Sequence, residues 1–172
     1  MKHSNKIILA HWLTILLFIL LFLTNSCREW AEKGSDWRAV WLNLHAWLGI
    51  GVLLLSCIRL ISRLTTSKIT SVYNSKFMHT LHAIMQVVFY ILLFIVPICG
   101  YLRFSSRGHM LTLAGQSVPS LIEKSDWLHA LGKLGHGEIM QGVVLTVIGI
   151  HIFAALYHQF IKKDNIMARI CR

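Results

Sequence analysis

The sequence predicts an all-α integral membrane protein, a bundle of four spanning helices with both termini cytoplasmic. Hydrophobic residues fill 55% of the 172 positions and charged residues only 14%, and the mean hydropathy is +0.60, which is too apolar for a soluble chain of this length. Four apolar segments are each long enough to cross a bilayer core, which takes about 20 residues. Basic residues concentrate on one side of the resulting topology.

The predicted spans lie near Ile7–Thr24, Trp41–Ile61, His79–Leu102 and Ile139–Ile161, within a single domain covering residues 1–172. Between the first two spans, Asn25–Val40 mixes charges of both signs and is expected to lie on the outer membrane surface. The segment Arg103–Glu138 is too long for a tight turn. We expect it to form an amphipathic, partly helical cover on the outer face, with Ser125 or Asp126 as a helix N-cap.

The charge pattern fixes the predicted orientation. With both termini inside, the cytoplasmic side carries ten basic residues and one acid, and the outer side carries seven basic residues and six acids. Nine of the ten net positive charges therefore lie inside, as the positive-inside rule requires. The inner charges are Lys2, Lys6, Arg59, Arg63, Lys68, Lys76, Lys162, Lys163, Arg169, Arg172 and the acid Asp164. Membrane lipid accounts for this basic surface, and nucleic acid is not needed as a partner.

Cysteine usage and the N-terminus add two expectations. Cys27, Cys57, Cys99 and Cys171 show no CxxC spacing and lie in different segments, which argues against a disulfide framework. Cys27 and Cys99 could both lie towards the outer side, so a bond between them stays open. The basic N-terminus before an apolar run resembles a signal peptide, but no small-x-small cleavage site follows it. The first span is therefore expected to be retained.

Histidines occur inside the apolar segments, where a membrane helix does not carry them without a functional reason. Spans one and four each place one in the inner half, His11 and His151, while spans two and four each place one in the outer half, His45 and His136. His136 and His151 are fifteen residues apart, which is about 22 Å along a helix and leaves both on broadly one face. The sequence thus predicts two interhelical histidine pairs at two depths.

Such pairs favour the binding of haem. Bis-imidazole ligation of iron in a helix bundle needs one neutral histidine from each of two facing helices, small residues beside the porphyrin and a cation for the propionates. Gly49, one turn after His45, would leave a groove for a flat ligand, although ordinary small-residue helix packing explains it equally well. Arg59 lies within an apolar run and no span contains an acid, which leaves lipid phosphate or a cofactor carboxylate as its partner. Zinc fits less well, because its sites need three or four close ligands.

Several motifs also carry a family resemblance. The closing run IGIHIFAALYHQFIKKDN combines a His, paired Ala, a second His and a terminal Lys-Asp-Asn. LAHW in the first span, LNLHAWLGI with IRLISRL in the second, and VPICG followed by SSRG after the third occur in the same order. In these motifs, over nearly its whole length, the chain resembles the bacterial cytochrome b561 family of small four-span di-haem proteins.

The resemblance implies haem ligation by His11, His45 and His151, and a propionate-binding role for Arg59. It also implies two b haems and electron exchange with a membrane quinone in the bacterial inner membrane. Some members are similar to superoxide oxidases, which pass an electron from superoxide at the outer face through the haems to ubiquinone.

Two positions depart from the family pattern. The two fourth-span histidines are normally fourteen residues apart, and here Gly137 looks like an extra residue between His136 and His151. Either a local irregularity absorbs this residue and His136 is the outer ligand, which we favour, or the outer ligand is His129. In the third span, Gln86 stands where the family commonly has another histidine, which puts quinone or proton handling in question.

Three hypotheses follow for the function. The leading one is a di-haem oxidoreductase of the inner membrane that oxidises a small outer-face donor, with superoxide as a candidate, and reduces ubiquinone. The second is a haem-bearing membrane anchor whose partner is a larger redox enzyme. The third is a non-redox membrane transport protein with incidental histidines.

Overall fold

A computed structural model describes residues 5–65 and 76–163. Within these residues the chain forms mainly long helices. The elements are α1 (Asn5–Trp30), α2 (Asp36–Thr65), α3 (Lys76–Ser105), β1 (Leu111–Leu113), β2 (Gln116–Val118), α4 (Asp126–Gly135), α5 (Glu138–Leu156) and a π-helical segment (Tyr157–Lys162). Several positions of the charge analysis lie outside the described residues, namely Lys2, Lys68, Asp164, Arg169 and Arg172, as does Cys171.

The predicted all-α bundle of four membrane-spanning helices is confirmed. Among the described residues, four segments are long and apolar enough to cross a membrane: Ile7–Trp30, Asp36–Thr65, Lys76–Ser105 and Asp126–Lys162. The helices are longer than predicted, because α1 and α2 both run into the expected surface loop Asn25–Val40 and leave only residues 31–35 outside helix. The fourth segment begins at Asp126 instead of near Ile139, since only His136 and Gly137 separate α4 from α5.

Several hydroxyl groups inside the spans donate to carbonyls of their own helices. Thr14 donates to the Ala10 carbonyl (2.7 Å), and Ser56 donates to the Val52 carbonyl (2.7 Å). Thr146 does the same to Gly142 at 2.9 Å. Because lipid offers no hydrogen bonds, this back-bonding to the preceding turn makes such residues tolerable in a spanning helix.

A short turn joins α1 to α2 at one end of the bundle. Gly34 has a φ of +88°, a backbone conformation that glycine adopts readily. Arg38 closes the turn, because its Nη1 donates to the Arg28 carbonyl (2.7 Å) and the Ala31 carbonyl (3.2 Å) at the C-terminal end of α1. These carbonyls have no partner within the helix, so the guanidinium acts as a C-terminal cap.

A β-hairpin, which was not predicted, packs against α2. Its two-residue turn has Ala114 and Gly115 at positive φ, the conformation of a tight hairpin turn. Asn43 binds the backbone of Thr112 in both directions, accepting from its N–H (2.9 Å) and donating to its carbonyl (3.1 Å). Trp47 Nε1 donates to the same carbonyl at 3.0 Å. The hairpin is therefore held on α2 immediately before and after His45.

The helix α4 packs closely against one end of α3. Ser125 is its N-cap, one of the two residues predicted, and its side chain accepts from Leu128 N at 3.4 Å. A Cβ added at Gly132 would lie 2.5 Å from Arg103 N, and one added at Gly135 would collide with Cys99 Sγ. The expected outer cover is thus partly helical, but its helix packs along α3 and continues into α5 instead of lying apart.

We expect Gly132→Ala to destabilise the protein by about 1–3 kcal/mol, because the added methyl meets the backbone of α3, which cannot move aside as a flexible side chain would. The midpoint of thermal unfolding in detergent, followed by circular dichroism, should fall by several degrees. Gly51→Ala is the matched control, since nothing lies within 4 Å of a Cβ at Gly51. Its midpoint should stay unchanged or rise, and equal midpoints for the two variants would contradict this packing.

Cys27, Cys57 and Cys99 are free thiols. The bond between Cys27 and Cys99 that the sequence left open is therefore not formed in this structure.

Candidate functional site

The structure brings His45 of α2 and His136 together. Their ring centroids are 5.9 Å apart and their planes are inclined by 74°. His45 Nδ1 lies 3.1 Å from the Leu21 carbonyl and 3.2 Å from Thr24 Oγ1, and His136 Nδ1 lies 2.9 Å from the Val96 carbonyl. A carbonyl can only accept, so both Nδ1 atoms carry the proton and both Nε2 lone pairs are left for a ligand.

His136 occupies the break between α4 and α5. Gly137 follows it in an extended conformation (φ −110°, ψ −173°), and a Cβ there would lie 2.5 Å from the Lys133 carbonyl. Gly100 of α3 lies against the ring, since a Cβ at that position would be 2.9 Å from His136 Nδ1. Gly137 thus allows the irregular backbone at the extra residue, and Gly100 allows the His136 ring to approach α3 closely. His129, the alternative residue, instead has its Nδ1 3.3 Å from the Arg103 carbonyl.

A second pair forms between His11 of α1 and His151 of α5. Their ring centroids are 6.4 Å apart, with planes inclined by 66°. Phe89 of α3 makes an edge contact with His151 at a centroid distance of 5.1 Å, and Trp12 makes one with His11 at 5.9 Å. His11 is half-buried and His151 is exposed. The two pairs therefore join different helices, as the sequence predicted.

Arg59 lies beside the His11 pair. Its Nη1 donates to Thr14 Oγ1 at 2.8 Å, and Thr14 is three residues after His11 on α1. No carboxylate pairs with Arg59 in the part of the chain that the structure describes. A half-buried guanidinium with one neutral partner keeps several N–H donors for an anionic group near His11.

Gly49 has open space where a side chain would begin. Among the residues that the structure describes, nothing lies within 4 Å of an ideal Cβ at Gly49, so close small-residue packing is not seen at this glycine. Gly49 is four residues after His45 and shares its helix face. A flat ligand beside His45 could therefore approach the α2 backbone at this position.

Both pairs have the spacing that a six-coordinate metal needs. Two imidazoles that shared one iron would have ring centroids about 6 Å apart, because a metal–nitrogen bond is about 2 Å long and each centroid lies about 1 Å behind its nitrogen. Among residues 5–65 and 76–163, no group of three or more His, Cys, Asp or Glu side chains is placed to hold a metal ion. The histidines of each pair thus meet in twos, the number of imidazoles that bis-histidine haem ligation uses.

Sequence comparison identifies the family. The profile of the prokaryotic cytochrome b561 family matches residues 2–172. The chain belongs to the prokaryotic cytochrome b561 family. This membership confirms the resemblance seen in the sequence motifs. Together with the four spans, it identifies a multi-pass protein of the bacterial inner membrane that carries b-type haem and transfers electrons.

Two curated relatives align with nearly the whole chain. Cytochrome b561 homolog 1 of Escherichia coli K12 is 27% identical over 170 residues, 98% of this chain and 96% of the relative. A protein of Yersinia pestis named probable superoxide oxidase CybB is 27% identical over 172 residues, 98% of this chain and 95% of the relative. At the level of the cytochrome b561 family, these relatives indicate an oxidoreductase.

Four residues that contact the paired histidines or Arg59 were not predicted: Thr14, Thr24, Phe89 and Gly100. Thr14 could have been found, because it lies three residues after His11 on the same helix face. The other three come from separate parts of the chain and carry no local signal. Gln86 is a half-buried residue of α3, and its effect on function stays a prediction.

Proposed function

We propose that this protein is a di-haem cytochrome that takes electrons from a donor at the outer face, with superoxide as the first candidate, and delivers them to ubiquinone in the membrane. The observation that carries the proposal is the presence of two imidazole pairs with centroids 6.4 and 5.9 Å apart. In this account His11 and His151 hold the inner haem, and His45 and His136 hold the outer one. Bound haem supplies reversible one-electron carriers at the two levels.

The helices set the distance between the two levels. His11 and Thr24 are thirteen residues apart on α1, and Thr24 contacts His45, so the pairs lie about 20 Å apart along the bundle axis. On α1, every residue between His11 and Thr24 except Thr14 is apolar. The protein's contribution is therefore ligation, spacing and exclusion of water.

Hydrogen bonds at Nδ1 hold the rings of His45 and His136 in one tautomer. The Nδ1–H groups of His45 and His136 donate to the Leu21 and Val96 carbonyls, which orients each ring and makes it a stronger electron donor to iron. Near the inner pair, Arg59 would bind a propionate with the N–H groups that Thr14 does not use. At the inner level, ligation would thus come from α1 and α5 and charge neutralisation from α2.

Positive charge beside the outer pair supports an anionic donor. Arg103 Nη1 donates to the backbone carbonyl of His136 at 2.6 Å, and its side chain is exposed. Arg28 and Arg38, both half-buried, lie together at the end of α1, where Glu29 lies 3.5 Å from the Arg28 guanidinium and offsets part of this charge. An exposed cationic surface concentrates small anions and speeds their encounter. Superoxide is such an anion, and the name of the Yersinia relative supports the same choice.

The reduction of one ubiquinone to ubiquinol requires two superoxide anions. Two superoxide anions release two electrons and become two O₂, and these electrons with two protons reduce one ubiquinone to ubiquinol. To test this, superoxide and a short-chain ubiquinone are added to the purified protein and ubiquinol is measured. We expect ubiquinol to form faster than in the protein-free control. A rate equal to that control would contradict the oxidase function and favour a haem-bearing anchor for a larger redox enzyme.

Thr24→Val is expected to raise the midpoint potential of the outer haem by an amount on the order of tens of millivolts. Thr24 is 2% exposed and its hydroxyl accepts from His45 Nδ1 (3.2 Å), so valine removes one acceptor while keeping the shape of the side chain. The His45 ring then donates less charge to iron, which favours the reduced state.

A potentiometric titration followed in the visible spectrum measures this shift. Thr14→Val is the matched control, because Thr14 bonds to Arg59 at the inner level and does not contact His45. It should leave the outer potential unchanged. A shift of the inner potential in Thr24→Val, or none in either haem, would contradict the proposed second contact.

A further inference from the structure

One face of α3 contacts His136 at three positions with helical spacing. His136 Nδ1 donates to the Val96 carbonyl at 2.9 Å, and the His136 ring lies against Gly100. The backbone carbonyl of His136 accepts from Arg103 Nη1 at 2.6 Å. Positions 96, 100 and 103 are related as i, i+4 and i+7, so they share one face of the helix. This face of α3 therefore holds both the ring and the backbone of His136.

The backbone of His136 lies outside regular helix. His136 is the C-cap of α4, with φ −144° and ψ 41°, and Gly137 is the N-cap of α5 and makes no side-chain cap bond. The hydrogen bonds of α5 begin where Gln141 N donates to the Gly137 carbonyl at 2.9 Å, so the His136 carbonyl precedes them. Arg103 therefore supplies a donor to a carbonyl that lies at the break between two helices.

An arginine at this position also has an ordinary explanation. Arg103 lies in the last turn of α3, where a cation interacts favourably with the helix dipole. That interaction does not require the side chain to reach another segment, yet Nη1 contacts the His136 carbonyl. Among residues 5–65 and 76–163, no carboxylate lies within 4 Å of the Arg103 guanidinium. The bond to His136 is thus a specific contact that the helix dipole does not explain.

The backbone of Arg103 is itself held in place. Gly132 of α4 packs against it, since a Cβ at Gly132 would lie 2.5 Å from Arg103 N. The Arg103 carbonyl lies 3.3 Å from His129 Nδ1, also on α4. The side chain that reaches His136 therefore starts from a fixed point on the α3–α4 contact, which makes it suitable for holding another residue in position.

We propose that Arg103 is a positioning residue for the outer haem, because its hydrogen bond to the His136 carbonyl keeps the His136 ring facing His45. The inference rests on the proposed ligation by His136 and goes beyond it, since Arg103 acts through the backbone of the ligand. Hydrogen bonds from a charged donor are stronger than neutral ones. Because the orientation of an imidazole determines how well it donates to iron, loss of this bond loosens the outer haem and leaves the inner haem in place.

This role differs from the attraction of an anionic donor. Attraction depends on the charge of the exposed guanidinium and acts only when a donor is present. Positioning depends on the hydrogen bond and is present in the oxidised protein alone. The two roles are therefore separated by measurements on oxidised protein without superoxide.

The test follows haem loss from the purified full-length holoprotein in detergent. The oxidised protein is mixed with excess apomyoglobin, haem transfer is followed by absorbance, and electron paramagnetic resonance shows which low-spin haem remains. Arg103→Met should lose the outer haem about fivefold faster than the wild type, and the inner haem at the wild-type rate. Arg103→Lys keeps a charged N–H donor on a long side chain and should stay close to the wild type.

Arg107→Met is the matched control. It removes an exposed cation four residues further along, in the turn after α3, and should lose both haems at the wild-type rates. Wild-type rates in Arg103→Met, equal acceleration in Arg107→Met or Arg103→Lys, or equal acceleration of both haems would overturn the proposal. Wild-type protein that holds no outer haem would instead contradict the proposed function, and the positioning role with it.

Discussion

Replacing His151 with alanine is expected to lower the haem content from about two to about one per chain. His11 would lose the ring that faces it at 6.4 Å, and a single imidazole holds haem far less firmly than two. The outer pair should keep its haem, because it lies about 20 Å away and depends on other helices. The pyridine haemochrome assay, normalised to protein, measures the change.

His158→Ala is the matched control for this variant. His158 lies seven residues further along, nearly on the same helix face, in the π-helical segment Tyr157–Lys162. It has no place in either pair and should retain both haems. Full haem content in His151→Ala, or equal loss in both variants, would show that the inner ligand has been assigned wrongly. Loss of the inner haem in His151→Ala should also stop ubiquinol formation from superoxide, since the electron path to the inner side is interrupted.

The second large effect is expected at the outer pair. His136→Ala should lose the outer haem, because the structure holds this ring 5.9 Å from His45 and fixes its Nδ1 on the Val96 carbonyl. His129→Ala should keep it, because His129 contacts the Arg103 carbonyl on another part of α3. Both positions are histidines near the same end of the fourth span, so the two variants control for each other.

Haem content and the electron paramagnetic resonance spectrum separate the two outcomes. Loss of the low-spin signal of one haem in His136→Ala, with an unchanged spectrum in His129→Ala, is the expected pattern. The reverse pattern would make His129 the outer ligand and assign the His136 contact a purely structural role.

Much of the fold could be predicted from composition and periodicity. The four spans are long apolar runs, and the bilayer thickness sets their length. The pairing of histidines by depth also follows from the sequence, since rise per residue converts their positions into levels. His11 and His151 meet in the structure as the sequence predicted, as do His45 and His136.

The sequence favoured His136 over His129 but could not show how His136 reaches His45, for a physical reason. Which histidine reaches His45 depends on the break at His136 and Gly137, and that break depends on close packing against α3. Gly100 and Gly135 permit this approach, but the contact joins residues that are far apart in the chain. The local sequence therefore predicts an irregularity near Gly137 but does not show which histidine it turns towards His45.

The hairpin and the hydrogen bonds around the histidine pairs also could not be predicted from the sequence. Residues 111–118 carry a weak strand signal, and the hairpin is held by Asn43 and Trp47 about 65 to 69 positions earlier. Arg59 was predicted to need an anionic partner, and its bond to Thr14 was not foreseen. These contacts depend on how the helices are rotated, which an almost uniformly apolar surface does not specify.

The central claim is that each chain holds two haems between paired histidines. The most direct measurement is the dithionite-reduced minus oxidised spectrum of the purified protein, combined with haem quantification per chain. We expect a b-type α-band and two haems per chain. A flat spectrum, or a single haem per chain, would contradict it.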